Sequence, residues 1–311
     1  MNYVLKKLAG LIATLILISM VTFFAFSVIP GDAAITKLGL SATEAQIESL
    51  RESMGIYAGN FEGYIKWLKG AITGNFGNSY RYQMTVTALI GSRLTATTGL
   101  ALLSIFFMVI FSVPLAIISA RRPNSALDNA ITVLTQIGMA TPQFFLGIVL
   151  TLIFGIMLSW FKVGGYVSAN EDFWGFVSFM ILPAISVSVP KISMMIKFLR
   201  DGIVKEKTCD YVRTARAKGN SESRILFCHI LKNAIVPTIT FFAMAAAEVL
   251  AGAIVAEEVF GIPGVGELLV TSISNRDYPV VQALVLYTGA LVVIMNTFAD
   301  IMYKIVDKRV E

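Results

Sequence analysis

Three groups of residues in this 311-residue chain could do chemistry. The first is a basic island, YVRTARAKGNSESRILFCHILKNAIVP at 211–237, where Arg213, Arg216, Lys218, Arg224 and Lys232 crowd together. Cations at this density grip anionic lipid or an acidic protein surface. The second is a lone carboxylate, Glu248, inside the small-residue run Ala243-Met244-Ala245-Ala246-Ala247-Glu248-Val249-Leu250-Ala251-Gly252-Ala253. Placing a carboxylate at mid-membrane costs at least about 2.5 kcal/mol on insertion scales, so such a residue marks a function or a partner. Either Glu248 lines a pathway and attracts a cationic substrate group, or it is a protonated or hydrogen-bonded carboxyl between helices, near Lys191. The third group is Cys209, Cys228 and the only histidine, His229. Their spacing fits no zinc pattern, and one imidazole cannot complete a site with them. Both cysteines read as structural, and no metal site is expected.

The elements that position these groups are set by composition. The chain is 56% hydrophobic and only 14% charged, where a soluble domain carries about a quarter charged residues. Runs free of Asp, Glu, Lys and Arg cover 8–31, 94–120, 129–161, 173–190 and 278–299, and 233–256 is interrupted only by Glu248. A helix of roughly 20 apolar residues crosses the hydrocarbon core. The expectation is an all-α integral membrane protein with six transmembrane helices near 9–29, 97–118, 132–158, 174–195, 234–256 and 280–302. The first run exceeds the 7–15 residues of a signal-peptide core, and Ala25-Phe26-Ser27 is a poor cleavage site, so it reads as an uncleaved anchor. The short loops carry their Lys and Arg on one side, with 9 between spans four and five. By the positive-inside rule both termini face the cytoplasm. The net charge of +5 therefore serves the membrane surface, and lipid rather than nucleic acid is the expected contact. Cys209 and Cys228 would then lie in a reducing compartment.

The parts follow as an N-terminal tip and first span over 1–29, an extracytoplasmic loop over 30–93, a five-helix core over 94–306 and a tail over 307–311. In the loop, Ser41-x-x-Glu44 predicts a capping box, opening a short helix with Ile47, Leu50 and Met54 on one stripe. Phe61, Tyr64, Ile65, Trp67 and Leu68 predict a second short segment with interfacial aromatics. The stretch 257–279 looks too irregular to meet lipid directly, and reads either as the outer mouth of a pathway or as a packed cap.

Within the island, helix formers extend span four through 203–218. Gly219-Asn220 stops that helix, and Ser221 caps a second short helix over about 222–233. Ile225, Leu226, Ile230 and Leu231 form an apolar ridge beside Arg224 and Lys232, and Pro237 sits in the first turn of span five. A plain positive-inside loop on anionic lipid needs neither a glycine break nor a ridge.

Arg213-Thr214-Ala215-x-x-x-Gly219, followed by Asn233-Ala234-x-x-Pro237, resembles the EAA loop of ABC-importer permeases, in the dipeptide, oligopeptide and nickel branch. Arg213 stands where the general motif has Glu. Similar stretches run along the chain: Ile29-Pro30-Gly31-Asp32; Gly74-Asn75-Phe76-Gly77-x-Ser79, with Asn75 for the usual Asp; Thr141-Pro142-Gln143-Phe144-Phe145-Leu146-Gly147; Glu257-x-Val259-Phe260-x-x-Pro263-Gly264-x-Gly266; and Arg276-Asp277-Tyr278-Pro279-Val280-Val281. Thr95 replaces a frequent Pro, which would loosen the start of span two.

The resemblance implies a type I ABC-importer permease fold with a long extracytoplasmic loop after helix 1. It implies a coupling helix formed by Arg213, Thr214, Ala215, Gly219, Arg224, Asn233 and Pro237, docked on a cytoplasmic ATPase, with the ridge in a groove of that partner. It also implies a second, homologous permease chain, two ATPase subunits and an extracytoplasmic solute-binding protein received by the 30–93 loop, which otherwise reads as a lid that only packs on the helices. Family patterns place an apolar residue at Glu248, so no role carries over there. Candidates for the pathway are Glu248, Glu257, Phe260, Pro263, Gly264, Pro142 and Phe144. No Gly-Lys dipeptide occurs, so the chain has no P-loop and is not itself the ATPase; ATP and magnesium belong to the partner subunits, and no cofactor is expected here.

The implied cargo is a di- or oligopeptide or a chelated metal such as nickel; bare-nickel ligation is disfavoured by a single His and no Cys in the spans. Two other classes compete: a secondary transporter driven by an ion gradient through Glu248, and a membrane scaffold that recruits cytoplasmic partners. Secondary transporters commonly carry inverted repeats, and no such pattern is evident.

Overall fold

A backbone in hydrocarbon must satisfy its own N–H and C=O groups, so apolar runs of this length fold as helices. The computed structural model describes residues 2–27, 43–46, 49, 61–251 and 253–306. Ile29–Asp32, Ser41, the stripe Ile47, Leu50 and Met54, and the tail 307–311 lie outside the described residues. Within that set there is no strand, only an isolated bridge between Asn78 and Thr85. Two compact units emerge: residues 1–97 with 263–294, and 98–262 with 295–311.

The first unit contains α1 (Asn2–Ser27), α2 (Phe61–Ile72), the start of α3 (Val86–Arg121), α11 (Val265–Ser274) and most of α12 (Tyr278–Val306). Tyr64 and Trp67 of α2 are buried against Phe23 of α1, and the Ser19 and Tyr64 hydroxyls hydrogen-bond at 2.9 Å. These two aromatics thus pack on a helix rather than serving as an interfacial belt. Val86, Leu89 and Ile90 of α3 form a second core with Val265, Leu268, Val280 and Leu284. Ahead of α2, Thr43 donates its backbone N–H to Gln46 Oε1 at 3.0 Å. That is the return arm of a capping box, two residues later than the expected one.

In the second unit α6 (Phe173–Glu206) is the hub. It packs on α4 (Ala126–Ala140), α5 (Gln143–Leu150), α9 (Leu231–Leu250) and α10 (Ile254–Phe260). Small residues set the crossings, as close helix packing in membranes requires. A Cβ on Gly138 would lie 2.2 Å from Ser193 Oγ, and one on Gly202 would lie 3.0 Å from the Ala234 carbonyl oxygen.

Among the described residues, five helices are long and apolar enough to cross a membrane. The expected third span, 132–158, is not one straight helix. The chain bends by 102° between α4 and the run Gln143–Met157. Pro142 disfavours helical backbone at Thr141, whose φ of −85° and ψ of 122° are extended. Counting the bent pair as one span restores six. Span two starts earlier than expected, at Val86, and runs unbroken through Thr95, so the missing proline loosens nothing.

Two boundaries near the island also differ. The helix of span four ends at Glu206, and a separate α7 (Asp210–Ala217) follows a turn at Lys207–Cys209. After Gly219, α8 (Glu222–Ile225), a π-helical turn at Leu226–Ile230 and α9 run on as one helical stretch to Leu250. Pro237 is therefore well inside that stretch, and the Asn233 carbonyl loses the N–H it would otherwise accept. The 257–279 stretch is mostly helical, since α10 ends on Gly261 at φ 63° and α11 begins at Val265.

Candidate functional site

The island folds as α7, a tight turn and α8. Gly219 makes the turn at φ +78°, with open space where a Cβ would be, in the left-handed region that glycine enters without strain. The Gly219 N–H donates to the Arg216 carbonyl at 2.9 Å, and Asn220 Nδ2 donates to the Ala215 carbonyl at 3.1 Å. Ser221 Oγ accepts from the Arg224 N–H at 3.4 Å, the expected N-cap. Arg216 braces the two arms by donating to both carboxylate oxygens of Glu222, at 2.6 and 3.2 Å.

The apolar ridge points the other way from the expectation. Ile225, Leu226 and Ile230 are buried with Val212 and Ala215 in the chain's own core, against Leu199 and Ile203 of α6 and Ala120 of α3. A ridge that closes its own core cannot also fill a groove in a partner. What remains outward is mostly polar: Arg213, Thr214, Arg216, Lys218, Gly219, Ser221 and Arg224 are exposed, with Phe227, 50% exposed, the large apolar exception. Asn233 and Pro237 are exposed farther along, and Ala215 is 7% exposed.

Two side chains, Lys207 and Tyr211, fix this segment to the helices beneath it. Lys207 Nζ donates to the Ala120 and Arg121 carbonyls at 2.6 and 2.9 Å, a lysine cap on the last turn of α3. Burial pushes the Lys207 ammonium below its usual pKa. Tyr211 donates to Glu206 Oε2 at 2.5 Å. Burial, then that hydrogen bond, pushes the phenol up to about 12, so it stays a donor at neutral pH.

Just above lies a group the sequence did not flag. Asp128, 1% exposed, accepts from Arg200 Nε and Nη2, each at 2.6 Å. Ser119 Oγ and the Asn124 N–H, at 2.8 Å, complete its shell. Arg200 also donates to Asp201 Oδ1 at 2.9 Å. The network ties α3, α4 and α6 together. Its one sequence signal was Asp128 standing at the start of the charge-free run 129–161, three residues after the N-cap Ser125.

The pathway candidates do not converge on one opening. Glu248 pairs with Lys191 Nζ at 2.8 Å, beside a cavity of about 210 Å3 lined by both residues and by Gln143, Val187 and Ile254. Gln143 lies between the expected Pro142 and Phe144, both exposed. Phe260 is half-buried on Gly147, where a Cβ would come within 3.0 Å of its ring. Glu257 is 0% exposed, in the first turn of α10, where the helix dipole favours a carboxylate. Pro263 and Gly264 belong to the other unit, with Gly264 at the N-cap of α11.

In that unit two motif stretches meet. Asp277, 0% exposed, accepts from Ser79 Oγ at 2.5 Å and the Tyr80 N–H at 3.0 Å. Thr97 Oγ1 accepts from the Val265 N–H at 2.8 Å. The residues that carried the resemblance here are turn-builders.

Residues 112–311 match the family described as binding-protein-dependent transport system inner membrane component. Residues 1–101 match the N-terminal region of the same kind of membrane component. The chain is 35% identical to the oligopeptide transport system permease protein AppB of Bacillus subtilis, covering 99% of each chain. It is 33% identical to a probable peptide ABC transporter permease protein, y4tP, of Sinorhizobium fredii, covering 99% of this chain and 98% of the relative. It is 32% identical to a putative peptide permease protein of Brucella suis, covering 100% and 99%. Nothing among these supports a transporter driven by an ion gradient. The chain belongs to the binding-protein-dependent transport system inner membrane components, and so is a multi-pass, pore-forming permease subunit of a bacterial ABC importer, working in the cytoplasmic membrane with an ATPase and a solute-binding protein.

Proposed function

We propose that this chain forms half of the pore of a peptide importer, moved by an ATPase that docks on the polar face of α7 and its Gly219 turn. The observation that carries the docking surface is the two-sidedness of this segment. Its ridge of Ile225, Leu226 and Ile230 is sealed into the chain, while Arg213, Thr214, Lys218 and Arg224 face outward. Charged and hydrogen-bonding groups on a fixed rim set orientation and register in a docked complex. The peptide cargo rests on the printed names of the relatives, oligopeptide for AppB and peptide for the other two.

In this reading both termini face the cytoplasm, with the basic island on the ATPase side. A second, homologous permease chain completes the pore, and two ATPase subunits each engage one coupling segment. ATP and magnesium bind those subunits. When they close, the α7 segment is displaced, and Lys207 and the Arg200–Asp128 network carry that motion into α3, α4 and α6. Rigid-body rocking of packed helices then alternates access. Ala215 acts by packing in the core, and Asn233 and Pro237 by shaping the first turns of α9. The α2 region receives the binding protein. The pathway includes Glu248 at the cavity, Pro142 and Phe144 on either side of its lining residue Gln143, and Phe260 at the end of α10.

Reversing charge at Arg213 and Lys218 together, Arg213→Glu/Lys218→Glu, tests the docking surface, because neither residue is buried. The expected result is a folded permease that no longer retains its ATPase on purification. Full retention with normal uptake would remove the segment from the interface. A wild-type complex that takes up no peptide would sink the cargo.

A further inference from the structure

The Lys191–Glu248 pair differs from a structural ion pair in its exposure. Lys191 is 13% exposed and Glu248 is 72% exposed. A carboxylate so open on an apolar helix faces water or protein, since facing lipid is prohibitive. Beside it is the cavity of about 210 Å3, with Gln143 supplying amide donors and acceptors and Val187, Ala253 and Ile254 supplying apolar wall. At about 30 Å3 per water, that volume holds about seven waters. It is smaller than the 300–1,000 Å3 of sites that enclose a drug-sized ligand. The end of a peptide fits it, and a whole oligopeptide does not.

We propose that Lys191 and Glu248, with Gln143, form an exchangeable ion pair that receives the charged amino terminus of a peptide in transit. This rests on the peptide reading above. The terminal ammonium takes the place of Lys191 Nζ at the Glu248 carboxylate, which is the open member of the pair. Lys191 turns toward the carbonyl or carboxylate oxygens of the arriving chain, and Gln143 bonds the first peptide group. The arriving ammonium adds one positive charge to the neutral pair, so Lys191 is moved onto an oxygen acceptor of the peptide rather than left without a partner. Elsewhere in this unit Asp128 is enclosed, Arg216–Glu222 braces a turn, and the cavity beside Arg200–Asp201 is smaller, about 80 Å3.

The test uses the complete reconstituted importer with its binding protein. Uptake is compared for one tripeptide with a free amino terminus and for its N-acetylated form, both at concentrations that saturate the binding protein. Wild type is expected to favour the free terminus, and Glu248→Gln to lose about tenfold of that preference, the low end of a charge-assisted hydrogen bond. Should Glu248→Gln fail to assemble, the exchanged variant Lys191→Glu/Glu248→Lys keeps a pair and carries the test. It places the carboxylate on the less exposed side, and is expected to lose the preference, read as the ratio of free to acetylated uptake in the same variant. An unchanged preference in an assembled variant overturns the proposal. No uptake of either peptide by the wild-type complex overturns the peptide reading instead.

Discussion

Two ion pairs sit on one helix, α6, and differ in almost everything but chemistry. Arg200 and Lys191 are nine residues apart, about 14 Å along the axis. Arg200 meets a carboxylate that is 1% exposed and receives donors from three segments. Lys191 meets one that is 72% exposed, through a single 2.8 Å contact beside a cavity. The first arrangement is over-determined, with guanidinium geometry matching both carboxylate oxygens. The second leaves lone pairs of Glu248 free for another donor. The contrast separates a joint that must transmit force from a contact that must let go.

The largest effect should come from breaking the enclosed pair. Arg200→Ala leaves Asp128 buried without its charge partner, which costs about 3–5 kcal/mol. The expected readout is a collapse in the yield of monodisperse permease and a lower melting temperature in detergent. Normal yield would show that α3, α4 and α6 are held by packing alone. Next is the open pair, where Glu248→Gln should leave assembly near normal and act on substrate preference. A smaller effect is expected at the turn. Gly219→Ala places a side chain at φ +78°, a strain of about 1 kcal/mol. Hydrogen exchange should then speed up in α7 and α8 and stay unchanged in α4. The smallest concerns Arg216→Ala, since exposed pairs contribute little. Thermal stability should not move measurably, while a clear loss would mean that the brace, rather than the buried ridge, holds the turn closed.

What the sequence made legible follows from period and composition. The charge-free runs located the apolar helices, and Gly219-Asn220-Ser221 located the turn and its cap, because glycine and serine act there through local geometry. The direction of the ridge was not legible. Ile225, Leu226 and Ile230 make the same pattern whether they face a partner or their own α6, and only the packed neighbours decide. The break in span three was written in Thr141-Pro142 but hidden by a run apolar on both sides of it. Asp128 and Arg200 were hidden for another reason: they are 72 residues apart, and nothing local pairs them. Lys191 and Glu248 could be suspected as a pair because each interrupts an apolar stretch.

The central claim is that the ATPase grips the exposed polar face of α7 while the ridge beneath it stays within the chain. Single cysteines at Thr214 and at Ile225, in a permease cleared of Cys209 and Cys228, can be labelled with a membrane-impermeant thiol reagent with and without the ATPase subunits. The account predicts that Thr214→Cys reacts in the free permease and is protected in the complex, while Ile225→Cys reacts in neither. Labelling of Ile225→Cys in the free permease that disappears on ATPase binding would contradict it.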